Sequence, residues 1–583
     1  MTSGWCSSTA KLLNMSARNG LEFPNYGLIG VTQTRAISVI NEARYLFSLD
    51  LGVASQTRNA LNRMFDDDTE GLLSKDQKAD GFRPFQMGLP VNLVGLHCRR
   101  LRCTFVILLI FVLGTILLLE YSGYSVWRVS EPEFRSTESS RERLQNQYMR
   151  VNNMLAQREI LEAAIDNGLP DFRKIVPSCT RLAEEALQKN QSNSVREARQ
   201  WKFDEVKFRR RLFGPKIKDK CKAIKDNFAF SSAPLSNEEE EFPLAYGMLV
   251  YKSSVQVYFL LSAIYQPQNA YCIAVDSKAS LEFKRDMELL SDCFPNIFVM
   301  QIGNVQWCGF AVVRGVFNCL RFLSQLNHKW RYFQYLSGVD LPLKTNLELV
   351  RIFKRLKGTV NAEVTLFQKD RLGPEAKKTT PPLPLWKSSL SSLLPRETVD
   401  EMLKSEKVRE LFNFLKDTSC ADETLWATIT GNKNVFPIPG AIDATEVYAK
   451  IKKEKKELHK LVNTTKHLVR TPEEPFPLRD YYISRYQVWV PNKHCAGKFV
   501  ATSCVYGVGD LDNLMTRPEL VAHKFYLDFE PATYFCVYQA VRQRALVDKI
   551  QQRFQGALYS QLPQVLMRDG ESVDRLQFFF TDW

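Results

Sequence analysis

The sequence lacks the short motifs that mark several large enzyme classes. Its 583 residues contain no GxxxxGK(S/T), GxGxxG, HExxH or GxSxG pattern, which argues against kinase, dehydrogenase, metalloprotease and esterase activity. Histidine is scarce, with 6 residues, and none of the 13 cysteines belongs to a CxxC knuckle. A zinc-binding domain is therefore not indicated.

A basic stripe of the kind that binds nucleic acid is also missing. The net charge is +14, but the basic residues are scattered among many acidic ones, without an RNP motif or zinc-finger spacing. The composition therefore predicts no nucleic-acid partner. A positive surface of this kind suits an anionic small molecule or a membrane lipid.

One long apolar run is present near the N-terminus. Residues 104–119 read TFVILLIFVLGTILLL, which is about the length of a short membrane-spanning helix. A buried core helix would be amphipathic, and the run lies too far into the chain for an ordinary signal peptide. The sequence therefore predicts a transmembrane helix over residues 104–120.

The charges beside this segment predict its orientation. Arg99, Arg100 and Arg102 precede it, so the positive-inside rule places the N-terminus in the cytosol. Residues 1–98 show little hydrophobic periodicity, and we expect them to form a poorly ordered cytosolic segment. The chain is thus predicted to be a type II membrane protein with a lumenal C-terminal part. The shortness of the span favours a Golgi membrane.

The cysteines and the glycosylation sequons agree with a lumenal location. Ten of the cysteines follow residue 170, spread as in a disulfide framework, which forms in an oxidising compartment. Asn190 and Asn463 begin the sequons NQS and NTT. Both are predicted glycosylation sites, although sequons are also common by chance.

The hydrophobic pattern changes near residue 242. Residues 121–241 are polar and helix-prone, and they are predicted to form a stem. After them, short apolar runs such as AYCIAVD and NIFVMQI alternate with helical patterns such as SVQVYFLLSAIY. This alternation predicts an α/β catalytic domain over residues 242–583 with a largely parallel, Rossmann-like sheet. Asp276 and Asp340 end two of the strands, where such sheets bind ligands; aspartates of turns or caps are the alternative.

Several blocks of this domain resemble a known family. The blocks read PQNAYCIAVD, SGVDLPLKTNLE, ADETLWATI and CVYGVGDLDNL, and they resemble the core-2/I-branching β-1,6-N-acetylglucosaminyltransferases of glycosyltransferase family 14. The resemblance runs from about residue 179 to about residue 545. It implies a GT-A-like fold and a Golgi enzyme that transfers a sugar from a UDP-sugar to a glycan hydroxyl. Transfer would proceed with inversion and without a metal ion or other cofactor.

The resemblance also implies which residue acts as the base. Inversion in a single displacement needs one general base, and the family's glutamate falls on Glu423 within ADETLWATI. Apolar neighbours would raise the pKa of this carboxyl group and increase its basicity. Asp422 is then expected to cap or begin the following helix.

The departing diphosphate needs positive charge from side chains when no metal is used. The family's lysine matches Lys524 in VAHKFYLDFE, whereas its arginine aligns with Ala501. Either the nearby Lys498 substitutes for it from a different backbone position, or phosphate binding is weakened, since lysine cannot reproduce a bidentate arginine. The sequence thus predicts a phosphate site that departs from the family pattern.

The remaining site residues are also implied by the resemblance. Asp276 matches the acid that contacts uridine. Tyr251 replaces a histidine on the first strand and could still stack on, or hydrogen-bond to, the uracil base of the nucleotide. On the acceptor side, Glu363 matches a glutamate that binds galactose hydroxyls. Tyr486 belongs to a weaker aromatic match with Arg485 and Trp489, for which simple packing is the alternative.

The family's disulfide pairings have a cysteine at each matching position here. They would join Cys179 to Cys536, Cys221 to Cys293, Cys272 to Cys319, and Cys495 to Cys504. Spacing alone does not determine connectivity. Cys308 and Cys420 are left over, either as free thiols or as a pair that would hold the region of Glu423.

Three functional interpretations follow. The leading one is a Golgi β-1,6-sugar transferase that uses UDP-GlcNAc or another UDP-hexose and a core-1-like O-glycan or glycoprotein acceptor. A protein O-xylosyltransferase-like enzyme is disfavoured, because that branch carries additional C-terminal mass. A catalytically weak or inactive glycan-binding Golgi relative is the third, motivated by Ala501.

Overall fold

The computed structural model describes six stretches of the chain, namely residues 135–169, 171–188, 192–464, 481–490, 494–546 and 556–576. The predicted cytosolic segment, the predicted transmembrane helix and Asn190 lie outside them. Asn463 falls in the last turn of a helix. No helix in the described stretches is both long and apolar enough to cross a bilayer.

The strands of the described stretches form one main sheet and three small ones. In chain order they are β1 Leu244–Val250, β2 Ala270–Asp276, β3 Ile297–Ile302, β4 Tyr332–Ser337, β5 Asp340–Pro342, β6 Thr365–Leu366, β7 Trp386–Lys387, β8 Leu393–Pro395, β9 Tyr486–Gln487, β10 Lys498–Val500, β11 Ser503–Val505 and β12 Val521–His523.

The helices are distributed before, between and after these strands. In chain order they are α1 Arg135–Gly168, α2 Phe172–Ile175, α3 Cys179–Leu187, α4 Asn193–Gln200, α5 Glu205–Phe213, α6 Lys220–Phe228, α7 Asn237–Glu240, α8 Ser254–Ile264, α9 Leu281–Cys293, α10 Phe310–Gln325, α11 Asn346–Leu356, α12 Arg396–Lys404, α13 Glu406–Phe414, α14 Leu425–Thr430, α15 Ala444–Thr464, α16 Leu511–Thr516, α17 Pro531–Ala545, α18 Ala557–Ser560 and α19 Pro563–Arg568.

The main sheet has the strand order β3-β2-β1-β4-β8. Strands β1 to β4 are parallel, and β8 pairs antiparallel with β4 at the edge. The predicted alternation of strands and helices is confirmed, as is the parallel core. Because the order reverses at β1, the carboxyl ends of β1 and β4 flank a crevice of the kind that binds ligands in such sheets.

Both faces of the sheet are buried, because alternate residues of β1 enter different cores. Tyr246 and Met248 belong to the larger core, which includes the wholly buried helix α8. Ala245 belongs to the other core, where α10 packs through Val313 and Leu320. The sheet is therefore the middle layer of three, as the near-continuous apolar strands predict.

The folded unit begins before the predicted boundary at residue 242. Buried side chains of the segment assigned to the stem, among them Phe172, Leu182, Phe208 and Phe228, lie in the same core as Tyr258 of α8. The ring of Phe228 stacks on that of Tyr258 at 5.3 Å. The described residues between 169 and 241 thus pack against the sheet domain.

Five disulfide bonds cross-link this unit. They include the four pairs implied by the resemblance, Cys179–Cys536, Cys221–Cys293, Cys272–Cys319 and Cys495–Cys504. The fifth joins Cys308 to Cys420, so the alternative that these two are free thiols is wrong. The bond between α3 and α17 closes a loop of more than 350 residues, which restricts the unfolded chain strongly.

Candidate active site

A cavity of about 360 Å³ lies in the crevice between the carboxyl ends of β1 and β4. Its walls come from the ends of these strands and from the segment after β12, and include Tyr251, Lys252, Gly338, Tyr526 and Asp528. The cavity therefore lies where a nucleotide binds in other sheets of this order.

Asp276 ends the neighbouring strand β2 and is 2% exposed. One carboxylate oxygen accepts hydrogen bonds from the backbone N–H groups of Lys278 at 3.0 Å and Val305 at 3.3 Å. The other lies 3.2 Å from the Lys278 ammonium group. These contacts hold the carboxylate in one orientation at the edge of the site.

Lys278 connects Asp276 to the cavity. Its Nζ lies 4.6 Å from the centre of the Tyr251 ring, a distance typical of a cation–π contact. Tyr251 is 49% exposed and lines the cavity, so its ring is accessible to a ligand. Burial, Tyr251 and Asp528 together raise the pKa of the neighbouring Tyr526 hydroxyl.

Lys524 also lies near Tyr526, with its Nζ 5.6 Å from the ring centre. Lys252, which lines the cavity, lies 5.7 Å from the same ring. The Lys524 side chain is mostly buried, and its Nζ donates a hydrogen bond to the Val500 carbonyl oxygen at 2.8 Å. Burial lowers the pKa of this ammonium group.

The hairpin β10–β11 carries the position where the family arginine is missing. Its two turn residues, Ala501 and Thr502, both have positive φ angles, of 47° and 61°, and two such residues are typical of a tight hairpin turn. Lys498 is exposed on β10, and its Nζ lies 4.3 Å from the Phe529 ring centre. Lys498 is thus part of the hairpin, and the side chain of Lys524 contacts the hairpin backbone.

Glu423 ends a short 3-10 turn, Ala421–Glu423, just before α14. Its carboxylate lies 2.7 Å from Arg371 and 3.7 Å from Lys387, and its side chain is 26% exposed. The expected apolar surroundings are therefore wrong, because the buried neighbours Leu425 and Trp426 belong to the core below the turn. The carboxylate is accessible to a ligand and is accompanied by two cations.

Asp422 is the acid with a strongly shifted pKa. Burial, with a further contribution from Glu423, raises the pKa of its carboxyl group to about 6. Its Oδ1 is enclosed and has no hydrogen-bond partner among the described residues. The expected helix-capping role is wrong: Thr424 occupies the N-cap position of α14, and no side chain there accepts a capping hydrogen bond.

The shifted pKa of Asp422 predicts how stability depends on pH. An aspartate with an ordinary pKa of 3.8 in the unfolded chain and about 6 in the folded one destabilises the fold as pH rises between these values. Asp422→Asn should therefore raise the free energy of unfolding above pH 7, by about 3 kcal/mol, relative to the wild type. At pH 4 the difference should largely vanish.

Denaturant unfolding from pH 4 to pH 8 measures this difference. Asp292→Asn, at an exposed position on α9, is the matched control and should give a difference that does not vary with pH. A gain for Asp422→Asn that is equal at all pH values would contradict the assignment.

The predicted acceptor residue Glu363 precedes β6, whose partner strand contacts Glu423. Two residues after Glu363, Thr365 of β6 pairs with Lys387 of β7, and the Lys387 side chain is the one 3.7 Å from Glu423. The Ser388 N–H also donates a hydrogen bond to the Glu423 carbonyl oxygen at 2.6 Å. The small β6–β7 sheet thus joins the candidate base to the candidate acceptor residue.

Tyr486 lies in the core, which agrees with the packing alternative and not with an acceptor surface. It is 3% exposed, its ring stacks on that of Tyr506 at 5.7 Å, and the Arg517 guanidinium lies 4.0 Å above it. Trp489 is 47% exposed. Of the predicted aromatic residues, Trp489 is therefore the one available at the surface.

Asp340 forms a buried ion-pair cluster. Its carboxylate contacts His523 at 2.6 Å and Arg485 at 3.1 Å, and it accepts a hydrogen bond from the Ser337 N–H at 2.7 Å. Burial acts against the charged form, but Arg485 and His523 outweigh it and hold the pKa of Asp340 below its ordinary value. Asp340 therefore connects β4 with β12.

Three cationic residues of the site were not predicted from the sequence. Lys278 contacts Asp276, and Arg371 and Lys387 contact Glu423. Lys278 was recognisable in principle, since it follows the strand-ending acid by two residues. Arg371 and Lys387 precede Glu423 by 52 and 36 residues along the chain, and only the tertiary structure brings them to its carboxylate.

The described parts of the chain do not offer the cluster of ligating side chains that a metal site requires. In those parts of the chain, no group of three or more His, Cys, Asp or Glu side chains is arranged to hold a metal ion.

Comparison with known proteins gives the same family. Residues 244–513 match the family described as Core-2/I-Branching enzyme. A human β-1,3-galactosyl-O-glycosyl-glycoprotein β-1,6-N-acetylglucosaminyltransferase is 30% identical over 331 residues, covering 54% of this chain and 73% of the human enzyme. The Bos taurus protein of that name is 30% identical over 346 residues, covering 56% of this chain and 76% of its own length.

A solved structure, that of S. aureus TarS 1-349 in complex with UDP, is 12% identical and covers 30% of this chain and 55% of its own, with a TM-score of 0.19. The assignment therefore depends on the sequence relatives, each of which is matched over more than two thirds of its length. On that evidence the chain belongs to the core-2/I-branching enzyme family and is a glycosyltransferase.

Proposed function

We propose that this glycosyltransferase transfers GlcNAc from UDP-GlcNAc to O6 of a sugar in an O-glycan core, with inversion and without a metal ion. The acceptor would be a core-1-like disaccharide on a glycoprotein, and the catalytic domain would have a GT-A-like fold. The names of the human and bovine relatives describe this transfer for those proteins, and the family membership supports extending it to this chain.

The observation that carries the proposal is the position of Glu423. Its carboxylate is accessible, lies beside the β6–β7 sheet, and is linked through that sheet to the region of Glu363. A general base must reach the hydroxyl proton that it removes. An acceptor sugar bound near Glu363 would present its hydroxyl group close to the Glu423 carboxylate.

The reaction would proceed in one displacement. The Glu423 carboxylate takes the proton of the acceptor hydroxyl group, whose oxygen bonds to C1 of the donor sugar. The bond from C1 to the β-phosphate oxygen breaks, and its electron pair leaves with UDP. Lys524 would stabilise the charge on the diphosphate by exchanging its hydrogen bond with the Val500 carbonyl oxygen for one with a phosphate oxygen.

The nucleotide would occupy the cavity between β1 and β4. Tyr251 supplies an exposed ring for the uracil base, and the carboxylate of Asp276 supplies a fixed acceptor of hydrogen bonds beside it. Lys278 contacts both residues. Lys278 would therefore hold the Tyr251 ring and the Asp276 carboxylate in fixed positions relative to each other.

The cellular arrangement is part of the same proposal. The apolar run at residues 104–119 and the arginines before it support a type II Golgi anchor, with residues 1–98 in the cytosol and the catalytic domain in the lumen. The five disulfide bonds support an oxidising compartment.

A second candidate function is glycan binding with little or no transfer. It is favoured by Ala501, which leaves the hairpin turn without the family arginine, and by the hydrogen bond that already occupies Lys524. Such a protein would bind the acceptor glycan but would not release UDP from any donor.

A donor panel separates the two functions. We expect the purified lumenal part to release UDP from UDP-GlcNAc in the presence of a core-1 acceptor and EDTA, and to do so more slowly from the other UDP-hexoses. Binding of the acceptor without UDP release from any donor would refute transfer. Activity that is lost in EDTA and restored by a divalent ion would refute the metal-independent mechanism.

A further inference from the structure

The loop 303–309, between β3 and α10, connects the two halves of the candidate active site. It leaves the sheet at the carboxyl end of β3, beside Asp276. Val305 is the buried residue of this loop, and Trp307 is 85% exposed. Because only one side chain of the loop is buried, the position of the loop depends on how its two ends are attached.

The first end is attached to the nucleotide side of the site. The Val305 N–H donates a hydrogen bond to the Asp276 carboxylate at 3.3 Å. The Lys278 ammonium group donates one to the Val305 carbonyl oxygen at 2.5 Å. Both polar groups of the Val305 backbone are thus bonded to the residues that flank the nucleotide cavity.

The second end is attached to the turn that carries Glu423. Cys308 forms a disulfide bond with Cys420, and the Cys420 N–H donates a hydrogen bond to the Cys308 carbonyl oxygen at 2.9 Å. The Glu423 N–H in turn donates one to the Cys420 carbonyl oxygen at 2.9 Å. A covalent bond and two hydrogen bonds therefore connect the loop to the backbone of the candidate base.

We propose that the Cys308–Cys420 disulfide is a positioning element, which fixes Glu423 relative to the nucleotide held at Asp276. The inference rests on the proposed function, in which Glu423 is the base. Glu423 belongs to a turn of three residues, and its carboxylate contacts Arg371 and Lys387 from the acceptor side. The disulfide is the covalent link from this turn towards the donor side.

The expected effect of removing the link follows from the geometry of the reaction. For the displacement, the acceptor oxygen has to lie in line with C1 of the donor sugar, and the base has to reach the proton on that oxygen. A displacement of about 1 Å can reduce the rate on the order of 10²-fold. Nucleotide binding depends on the cavity and on Asp276, whose contacts with Lys278 do not involve the loop or its disulfide.

The test compares the wild type with Cys308→Ser/Cys420→Ser in the full chain. We expect kcat to fall on the order of 10-fold or more, while the Kd for UDP, measured by calorimetry, changes less than about 3-fold. The matched control is Cys221→Ser/Cys293→Ser, which removes the bond between α6 and α9 near the amino ends of the strands. This control should lower the melting temperature and leave kcat close to that of the wild type.

A second measurement covers the case in which the double variant does not fold. The wild type is reduced stepwise with a mild phosphine, its free thiols are alkylated, and the modified cysteines are identified by mass spectrometry. Cys308 and Cys420 are partly exposed, whereas Cys272, Cys319, Cys504 and Cys536 are fully buried. Activity should fall in step with alkylation of Cys308 and Cys420, at constant UDP affinity.

The outcomes separate the two proposals. An inactive wild type would refute the proposed function and the positioning role with it. An active wild type whose kcat is unchanged by loss of the Cys308–Cys420 bond would overturn the positioning role alone. Equal losses of kcat and of UDP affinity would also overturn it, because they would show that the bond supports the fold in general.

Discussion

Glu423→Gln should lower kcat about 10²- to 10⁴-fold, which is the usual contribution of a general base. The amide has nearly the shape of the carboxylate but cannot take the acceptor proton. Arg371 and Lys387 would then lose a charged partner at 2.7 Å and 3.7 Å, so their side chains should become more mobile. The KM for UDP-GlcNAc should change little, because the nucleotide cavity does not include Glu423.

The control for this substitution is Glu410→Gln, at an exposed position on α13. It removes the same charge from the same half of the domain and should retain the kcat of the wild type. Initial rates with saturating donor and acceptor, together with melting temperatures, distinguish a chemical from a folding defect. A Glu423→Gln enzyme with wild-type kcat would remove Glu423 from the role of base.

Lys524→Met should lower kcat/KM on the order of 10²-fold, since it removes a positive group that the leaving diphosphate needs. Methionine fills a similar volume at this mostly buried position, which limits the effect on packing. The hydrogen bond to the Val500 carbonyl oxygen is lost as well, so the hairpin β10–β11 should become more mobile. The affinity for UDP, measured by isothermal titration calorimetry, should fall in parallel with kcat/KM.

Two further variants are needed to interpret the effect of Lys524→Met. Lys453→Met, at an exposed position on α15, is the matched control and should leave kcat/KM unchanged. Lys498→Met tests whether Lys498 replaces the missing arginine: a loss comparable to that of Lys524→Met would show that the two lysines share the phosphate. If Lys524→Met retains wild-type kcat/KM, the diphosphate is stabilised elsewhere.

The central sheet was predictable because its strands are short, apolar and separated by longer helical segments. The runs AYCIAVD and NIFVMQI became β2 and β3, and SVQVYFLLSAIY became α8, with ends within a residue or two of the pattern. Such strands are recognisable as short, continuous apolar runs because both faces of the sheet are buried. The start of the folded unit was not predictable in this way, since α3 to α7 are short and largely polar on their outer faces.

The candidate site was predictable only in part, because tertiary contacts determine its electrostatics. ADETLWATI identified the turn, but not that Asp422 would be enclosed while Glu423 contacts Arg371 and Lys387. Arg371 is 52 residues away along the chain, and no local pattern relates it to Glu423. The same holds for Cys308 and Cys420. The sequence allows either free thiols or a disulfide bond between them, and only the tertiary contact of the loop with the turn determines that they are bonded.

NMR analysis of the product formed from UDP-GlcNAc and a core-1 acceptor in EDTA, with wild type and Glu423→Gln in parallel, tests both the linkage and the role of the base. We expect a GlcNAc in β configuration, joined to O6 of the acceptor, from the wild type and almost none from Glu423→Gln. An α-linked product, a linkage to another oxygen, or equal product from the two enzymes would contradict this expectation.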